Sequence, residues 1–266
     1  MPEPTGLERC LAFLDAQKRL VADRTEPVDG GTALVTESLP RVWDLNLLVA
    51  DPGAAAGARQ LAEEADRVYG SAGLGFRKVV VRDEAAGEEL APGFAALGWA
   101  VESSAVMVHS GQAPGPGGAG ADEVTPATAA AVMTAFRRER PFGRDESVLA
   151  ELAEADARYT ERLGARDFAA PAGGPYGASC RLYSHGGTAE IDEVGALTEH
   201  RARGLAGGVV RAALEAARDS GHDLVFLLAD REDWPREWYA RLGFEEVGAV
   251  FEFLLFPAGQ APAASG

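Results

Sequence analysis

The sequence predicts an α/β (α+β) protein with two related domains. Strand and helix patterns alternate along the chain, a Gly/Pro/Ala-rich segment divides it, and one short motif occurs in both halves. The predicted organisation is a first domain (1–109), a linker (110–121), a second domain (122–258) and a flexible tail (259–266). The motif, Leu-Gly followed by an aromatic residue, lies at Leu97–Trp99 and again at Leu242–Phe244. The first domain is therefore predicted to be a degenerate copy of the second.

The first half contains a helix, a strand, a second helix and a second strand by the spacing of its apolar residues. These elements are predicted at 7–20, Val42–Val49, Ala55–Tyr69 and Arg77–Val81. They precede Phe94–Trp99, which matches Tyr239–Phe244 position by position. The strands are too few for a complete copy of the second half, and two unrelated α/β units that share one turn would give the same pattern.

The second half is predicted to hold three helices and three strands. The helices are Ala127–Arg138, Leu149–Leu163 and Gly207–Asp219, and the strands are Tyr176–Ser184, Thr188–Leu197 and Leu224–Leu228. Gly186 and Gly187 separate the first two strands, and a glycine pair between alternating segments is a hairpin signal.

A short turn of glycine, small residues and arginines, Arg201–Ala206, lies where a strand leads into a helix. Backbone N–H groups in such a turn can point at one anion, and the helix dipole adds to the attraction. Gly204 allows a close approach because it has no Cβ atom. The turn is therefore predicted to bind a pyrophosphate group.

Two motifs in this half resemble the GNAT superfamily of N-acetyltransferases. Arg201–Ala206 fits the acyl-CoA signature Gln/Arg-x-x-Gly-x-Gly/Ala, and Tyr239–Phe244 fits the segment Tyr-x-x-Leu-Gly-Phe. The resemblance covers about residues 122–256. It implies two GNAT-like domains, each with a mixed, mostly antiparallel central sheet flanked by helices, and acetyl-CoA as the acyl donor. A Rossmann site does not fit, because Gly204, Gly207 and Gly208 lack its spacing; an ordinary helix entry would leave the second motif unexplained.

The resemblance also implies a set of cofactor contacts. The predicted contact residues are Val194, Ala196, Arg201, Ala202, Arg203, Gly204, Leu205, Ala206 and Gly207. The turn would hold the pyrophosphate, and the strand edge at Val194–Ala196 would pair with the pantetheine amides. The corresponding first-half stretch, residues 51–57, has no arginine and begins with an acid. Acetyl-CoA is therefore expected to bind the second half alone.

The base that deprotonates an amine is expected among three acids of one predicted strand. Glu190 is the first candidate, because Ala189–Ile191 resembles the setting of the glutamate base in histone-type members of the superfamily. Asp192 would share its face of the strand and Glu193 would point the other way. Each acid is equally well explained as a solvated strand residue, so Asp192 and Glu193 stay open as alternatives.

Tyr239 is the candidate general acid, since the resemblance places its hydroxyl near the CoA sulfur. A packed aromatic is the alternative, and Phe94 occupies the matching position of the first half. The family often has an asparagine seven positions before this tyrosine, where the chain has Glu232. The outer pantetheine contact therefore departs from the family pattern. The oxyanion is expected to meet a backbone N–H near Val194–Leu197.

Composition and charge set further expectations. The 266 residues, 47% of them hydrophobic, suffice for two ordinary domains. No apolar run is long enough for a membrane span, and no signal peptide is evident at the start. Cys10 and Cys180 lack metal or redox spacing and the histidines are scattered, so a cytoplasmic protein without a metal is expected. The net charge of −16 argues against nucleic acid and favours a cationic substrate, although a charged surface explains it equally well.

The predicted function is transfer of an acetyl group from acetyl-CoA to a primary amine of a small molecule or peptide. The alternative is a catalytically silent acyl-CoA-binding or scaffolding protein, and assembly as a homodimer is compatible with either. A cluster of arginines after the first helix of this half is a candidate contact for an acidic substrate group, or else an exposed basic loop. Its members are Arg137, Arg138, Arg140 and Arg144.

Overall fold

The computed structural model describes residues 4–53, 56–111 and 119–257. Most of the predicted linker and the whole predicted tail therefore lie outside the described residues. The helices are α1 (Gly6–Val21), α2 (Ala58–Ser71), α3 (Glu84–Ala96), α4 (Pro126–Arg138), α5 (Glu146–Leu163), α6 (Leu205–Asp219) and α7 (Pro235–Arg241). The strands are β1 (Arg24–Val28), β2 (Gly31–Val35), β3 (Leu47–Ala50), β4 (Arg77–Val81), β5 (Ala100–His109), β6 (Asp122–Val124), β7 (Arg166–Pro171), β8 (Tyr176–His185), β9 (Thr188–Ala196), β10 (Leu224–Asp230) and β11 (Phe244–Leu255). Over these described ranges, none of the helices combines the length and apolar character that crossing a bilayer requires.

The predicted strand Val42–Val49 is wrong in its first half. A 3-10 helix occupies Trp43–Leu45, and β3 begins only at Leu47. The buried side chain of Asn46 causes the bend, because its amide donates to Val42 O at 3.1 Å and its oxygen accepts from Thr36 N at 2.7 Å. A side chain that satisfies backbone groups in this way competes with a sheet ladder.

The chain divides into two compact units, and neither is one continuous stretch. Unit 1 contains the described residues within Met1–Phe13, Met107–Leu228 and Glu237–Glu245. Unit 2 contains those within Leu14–Val106, Ala229–Arg236 and Glu246–Gly266. The C-terminal residues of β11 belong to unit 2, where Phe251–Leu255 pairs antiparallel with Arg77–Val81 of β4.

Unit 2 is a mixed sheet covered by helices. Its strands lie in the order β1-β2-β3-β4-β11-β5, with β3 and β4 parallel and β1, β2 and β3 antiparallel. The core includes Tyr69 of α2 and Phe94 of α3, whose ring stacks on Phe253 of β11 at 4.1 Å between centroids. The hairpin β1–β2 supplies strands that the sequence pattern of the first half lacks.

Unit 1 is a mostly antiparallel sheet with helices on both faces. Its strands lie in the order β10-β9-β8-β7-β6, and only the β9–β10 pair among them is parallel in the described ladders. Cys180 Sγ of β8 donates to Val209 O of α6 at 3.3 Å, whereas the next side chain, Arg181, reaches Asp156 of α5. Because neighbouring strand residues point to opposite faces, α6 and α5 cover opposite sides of the sheet.

The repeated Leu-Gly-aromatic motif makes the same turn in both places. Gly98 follows α3 with φ 81° and Gly243 follows α7 with φ 93°, a region that favours glycine. Gly98 N donates to Ala95 O at 3.0 Å, and Gly243 N donates to Ala240 O at 3.1 Å. The motif is therefore a helix end that leads directly into a strand, β5 in one case and β11 in the other.

Candidate functional site

Strand β9 carries a β-bulge at Glu193. Asp192 lies opposite Arg181 of β8 and Gly195 lies opposite Ser179, so two residues of β9 face one of β8. Glu193 has φ 52°, which a non-glycine residue adopts at some cost in strain. Because a bulge adds one residue to the alternation, it changes the direction in which the following side chains point.

The parallel ladder between β9 and β10 ends three residues before this bulge. It joins Thr188–Glu190 to Leu224–Phe226, and β9 continues to Ala196 paired with β8. Within the described residues of unit 1, the other edge of β9 is therefore not paired with β10 beyond Glu190. Val194–Ala196 are half-buried on this edge.

The predicted anion-binding turn follows β9. A 3-10 helix at Thr198–His200 leads into it, and Gly204 begins α6 with φ 75° and ψ 6°. Ala202 also has a positive φ, 59°. Arg203 therefore lies between two residues with left-handed backbone conformations, Ala202 and Gly204. Alternation of this kind turns successive N–H groups toward one side and forms an anion-binding concavity. The N–H groups of the first helical turn, Leu205–Gly207, have no partner within the helix.

The two arginines of this turn contact the protein itself. Arg203 Nη1 lies 3.0 Å from His200 Nδ1 and its Nη2 donates to Ala172 O at 3.2 Å, while Arg201 Nε donates to Ala196 O at 3.4 Å. These bonds stabilise the exposed turn, and both guanidinium charges remain beside the positive end of α6.

A line of alternating charges passes from the interior to the bulge. Arg181 of β8 donates to Asp167 of β7 at 2.7 Å and to Asp156 of α5 at 3.0 Å. Arg137 of α4 donates to Asp156 at 2.7 and 3.0 Å and to Glu193 at 3.0 and 3.2 Å. We call Asp167, Arg181, Asp156 and Arg137 the ion chain; all four are buried, and Glu193 stands at its outer end.

The carboxyl of Glu193 has a pKa of about 7 instead of the ordinary 4.5. Burial is the main cause, and the charges of Asp156 and Asp192 add to it, while Arg137 and Arg181 act in the opposite direction. The side chain keeps 28% of its exposure, so the group is desolvated and still reachable from solvent. A carboxyl of this kind exchanges a proton near neutral pH.

The other two acids of β9 lie in different surroundings. Glu190 is 3% exposed, opposite Tyr183 in the ladder, and its charge helps to raise the pKa of the Cys10 thiol in α1, after the effect of burial. Asp192 is exposed and accepts the Glu193 N–H at 2.7 Å. The expectation that Glu193 points away from the face of Asp192 is wrong, because the bulge breaks the alternation and Glu193 reaches the cluster around Arg181.

Tyr239 lies in α7 and is 7% exposed. Its ring packs against Trp238 at 4.8 Å and against Phe244 at 5.9 Å between centroids. Burial raises the pKa of its phenol above the ordinary value of 10, and the nearby Cys180 and Asp192 raise it further. The phenol therefore carries its proton at neutral pH, as a general acid must.

The structure also shows the surroundings of the arginine cluster, of the oxyanion candidate Leu197 and of Glu232. Arg137 is 7% exposed in the ion chain and Arg138 binds Glu146 at 2.7 and 3.0 Å, so these two are not free contacts for an acidic substrate group. Leu197 N donates to Gly177 O at 2.9 Å and is thereby removed from the oxyanion candidates. Glu232 is exposed, and its N–H donates to Asp230 at 2.9 Å.

The ion chain was not predicted from the sequence, although α5 contains a signal for it. Asp156 follows the helical spacing of the buried residues Leu149 and Tyr159. A charged residue on the inner face of an amphipathic helix requires a buried partner. That signal identifies an ion pair without naming Arg137 and Arg181 as its members.

Comparisons with known proteins agree with this architecture. The model of the family FR47-like protein matches residues 178–252. A GCN5-related N-acetyltransferase from Kribbella flavida superposes with a TM-score of 0.66 at 18% identity, covering 94% of this chain and 95% of the other. The chain has the GNAT fold. The expectation drawn from the two sequence motifs is thus confirmed at the level of the fold.

Two further structures share this GNAT fold. A functionally unknown conserved protein from Staphylococcus epidermidis has a TM-score of 0.67 at 14% identity, covering 89% of this chain and 94% of the other. A tandem GNAT protein from the clavulanic acid biosynthesis pathway has a TM-score of 0.53 at 16% identity, covering 87% and 80%. No curated protein matches the sequence. The family-model match includes the bulge, the turn before α6 and Tyr239, whereas Arg137 and Asp156 precede it.

Proposed function

We propose that the protein is an N-acetyltransferase that moves an acetyl group from acetyl-CoA to a primary amine of a small molecule or peptide. One observation carries the proposal. The bulge with the ionisable Glu193 and the turn that begins α6 at Gly204 stand at the two ends of one short segment of unit 1. A proton acceptor and an anion-binding turn are thus supplied by the same strand-to-helix connection of a GNAT fold.

The acyl donor is assigned to the second half of the chain. The N–H groups at Ala202–Gly207 would hold the pyrophosphate, with the charges of Arg201 and Arg203 beside it. The edge of β9 at Val194–Ala196, which lies beyond the described ladder with β10, would bond the pantetheine amides as an added strand does. In the first half, Gly57 precedes α2 with φ −79° and ψ 165°, so that helix entry lacks the left-handed residue found at Gly204.

Glu193 is the proposed base. An ammonium substrate loses a proton to its carboxylate, and the freed nitrogen attacks the thioester carbonyl. A base with a pKa of about 7 is substantially ionised at neutral pH and still accepts a proton effectively. Glu190 fits this role less well, because its side chain is 3% exposed. The proposal therefore places the base at Glu193, three residues after Glu190.

Tyr239 is the proposed acid. When the C–S bond breaks, the CoA thiolate takes the phenolic proton and leaves as the thiol. The second ammonium proton, released as the amide forms, restores the phenol of Tyr239, and Glu193 returns its proton to solvent. The raised pKa keeps this proton in place until a strong base is formed beside it. The net charge of −16 would in addition draw a cationic amine toward the protein.

Release of CoA from acetyl-CoA across a panel of primary amines, together with calorimetric titration of acetyl-CoA, tests the proposal. We expect binding at one site per chain and CoA release that depends on at least one amine, with the acetylated amine identified by mass spectrometry. Binding without turnover on any amine would favour the silent binding or scaffolding protein. Absence of binding would reject both.

A further inference from the structure

The ion chain is more elaborate than the packing of unit 1 requires. Each of its members comes from a different element: Asp167 from β7, Arg181 from β8, Asp156 from α5 and Arg137 from α4. Their exposed fractions are 4%, 3%, 8% and 7%. Burying charges in this way is costly even when they are paired, so such a group is weak evidence for stability. The ion chain therefore suggests a role in positioning Glu193, the residue at its outer end.

We propose that Arg137 and Asp156 are positioning residues that hold the Glu193 carboxylate at the bulge of β9, with Arg181 and Asp167 anchoring them. The inference rests on the proposed function, since it deepens the role of Glu193 as the base. It concerns this chain's own residues and does not require a bound substrate.

The geometry makes Arg137 a bridge between two carboxylates. Its Nη1 donates to Asp156 Oδ2 at 2.7 Å, and its Nη2 donates to Asp156 Oδ1 at 3.0 Å and to Glu193 at 3.0 and 3.2 Å. The planar guanidinium fixes both carboxylates at once, which a lysine ammonium does not do. Asp156 in turn is fixed by Arg181, whose Nη1 donates to the same Oδ1 atom at 3.0 Å.

The charges balance only when Glu193 is protonated. The ion chain contains two arginines and two aspartates, so a carboxylate at Glu193 adds one uncompensated negative charge. The groups that act on Glu193 come from every neighbouring element. They are Arg137 of α4, Asp156 of α5, Arg181 and Tyr183 of β8, and Asp192 of β9, with Asp167 of β7 behind Arg181.

Removing charges of opposite sign should therefore move the titration of Glu193 in opposite directions. Arg137→Gln removes the cation beside the carboxylate and should raise its pKa by about one unit. Asp156→Asn removes a negative charge while keeping a side chain of nearly the same shape, and it should lower the pKa of Glu193 by about one unit. Misfolding or loosened packing would not produce this opposition.

The test is the titration of the Glu193 carboxyl carbon by NMR in the full chain, with the signal assigned by its loss in Glu193→Gln. Arg138→Gln is the matched control, because Arg138 is the next residue on α4 and its guanidinium binds the exposed Glu146. We expect a higher pKa in Arg137→Gln, a lower pKa in Asp156→Asn and no change in Arg138→Gln. Shifts in the same direction, or none, would overturn the inference.

A second variant, Arg137→Lys, tests the positioning role even if Arg137→Gln does not fold. Arg137→Lys keeps the charge and loses the bridge, so the pKa should stay near the wild-type value while kcat falls at least about tenfold at unchanged acetyl-CoA KM. Unchanged kcat in this variant would overturn the positioning role. If no amine is acetylated by the wild type, the proposed function fails, and the NMR titration still decides whether the ion chain controls Glu193.

Discussion

The guanidinium of Arg137 on α4 lies 3.0 Å from the carboxylate of Glu193 at the bulge of β9. This contact joins a helix of the second half to the strand that leads into the proposed anion-binding turn at Arg201–Ala206. It holds a carboxyl that is buried enough to have a raised pKa and exposed enough to meet a substrate.

Glu193→Gln should lower kcat by about 10²- to 10⁴-fold, the usual loss on removing a general base, with little change in the acetyl-CoA KM. The acidic limb of the pH–rate profile should disappear as well. Asp192→Asn and Glu190→Gln are the control variants on the same strand. Steady-state kinetics should show a smaller loss of kcat in each of them. A larger loss in Glu190→Gln than in Glu193→Gln would return the base to Glu190.

Glu193 should also make the protein less stable at neutral pH. Its pKa is about 7 in the folded protein against an ordinary 4.5. Between these values the folded state binds more protons than the unfolded state, so this stabilising contribution is full below about pH 4.5 and is lost as the pH rises through about 7.

Glu193→Gln removes this titration. The free energy of unfolding of the variant, measured relative to that of the wild type, should therefore increase from pH 5 to pH 8. The gain is about 1.4 kcal/mol for each unit of the pKa difference. Urea unfolding at the two pH values measures it. Glu146→Gln is the control: Arg138 lowers the pKa of Glu146, so that carboxyl is largely ionised in the folded and the unfolded chain across this pH range, and its removal should give little pH-dependent gain. Equal differences at both pH values would contradict the raised pKa.

Tyr239→Phe should keep the fold and acetyl-CoA affinity and lose about 10²- to 10⁴-fold in turnover, because it removes one hydroxyl and little volume. Tyr69→Phe is the matched control. That phenol is buried in unit 2 and donates to Leu34 O at 3.3 Å, so its loss should affect stability and leave turnover intact. Turnover of Tyr239→Phe within a few-fold of wild type would make Tyr239 a packing residue, like Phe94.

Gly204→Asp should abolish acetyl-CoA binding, and Gly204→Asn, which adds a Cβ atom and an uncharged side chain of similar size, should weaken it less. Both residues tolerate a left-handed φ and both are good N-caps, so α6 should form in either variant. They differ in the negative charge placed where the pyrophosphate is expected. Calorimetric titration measures both affinities, and an affinity equal to that of the wild type in Gly204→Asp would show that the anion does not bind at this turn.

Much of the fold was predictable because its signals are local. The apolar runs of β4 and β10, the alternating pattern of β8 and the glycine pair before β9 indicated their elements directly, and the hairpin across Gly186 and Gly187 is confirmed. Strand β1 was not predictable in this way. It contains Pro27, and its polar and apolar residues do not alternate clearly. Both features are tolerated in an edge strand, because such a strand buries few side chains.

The candidate site was predictable only in part, because its decisive contacts are distant in sequence. The turn at Gly204 and the motif at Tyr239 are short patterns. The bulge depends on the pairing of β9 with β8, and no glycine marks Glu193. Arg137 lies 19 residues from Asp156 and 56 from Glu193, separations at which spacing carries no information about contact.

The most direct test of the central claim is the pH dependence of amine-dependent CoA release by the wild type and by Glu193→Gln. The wild-type rate should rise with pH through an apparent pKa near 7, and CoA and acetylated amine should form in equal amounts. In Glu193→Gln this rise should vanish while acetyl-CoA still binds. Equal rates and identical profiles for the two proteins, or acetyl-CoA binding without amine-dependent release, would contradict it.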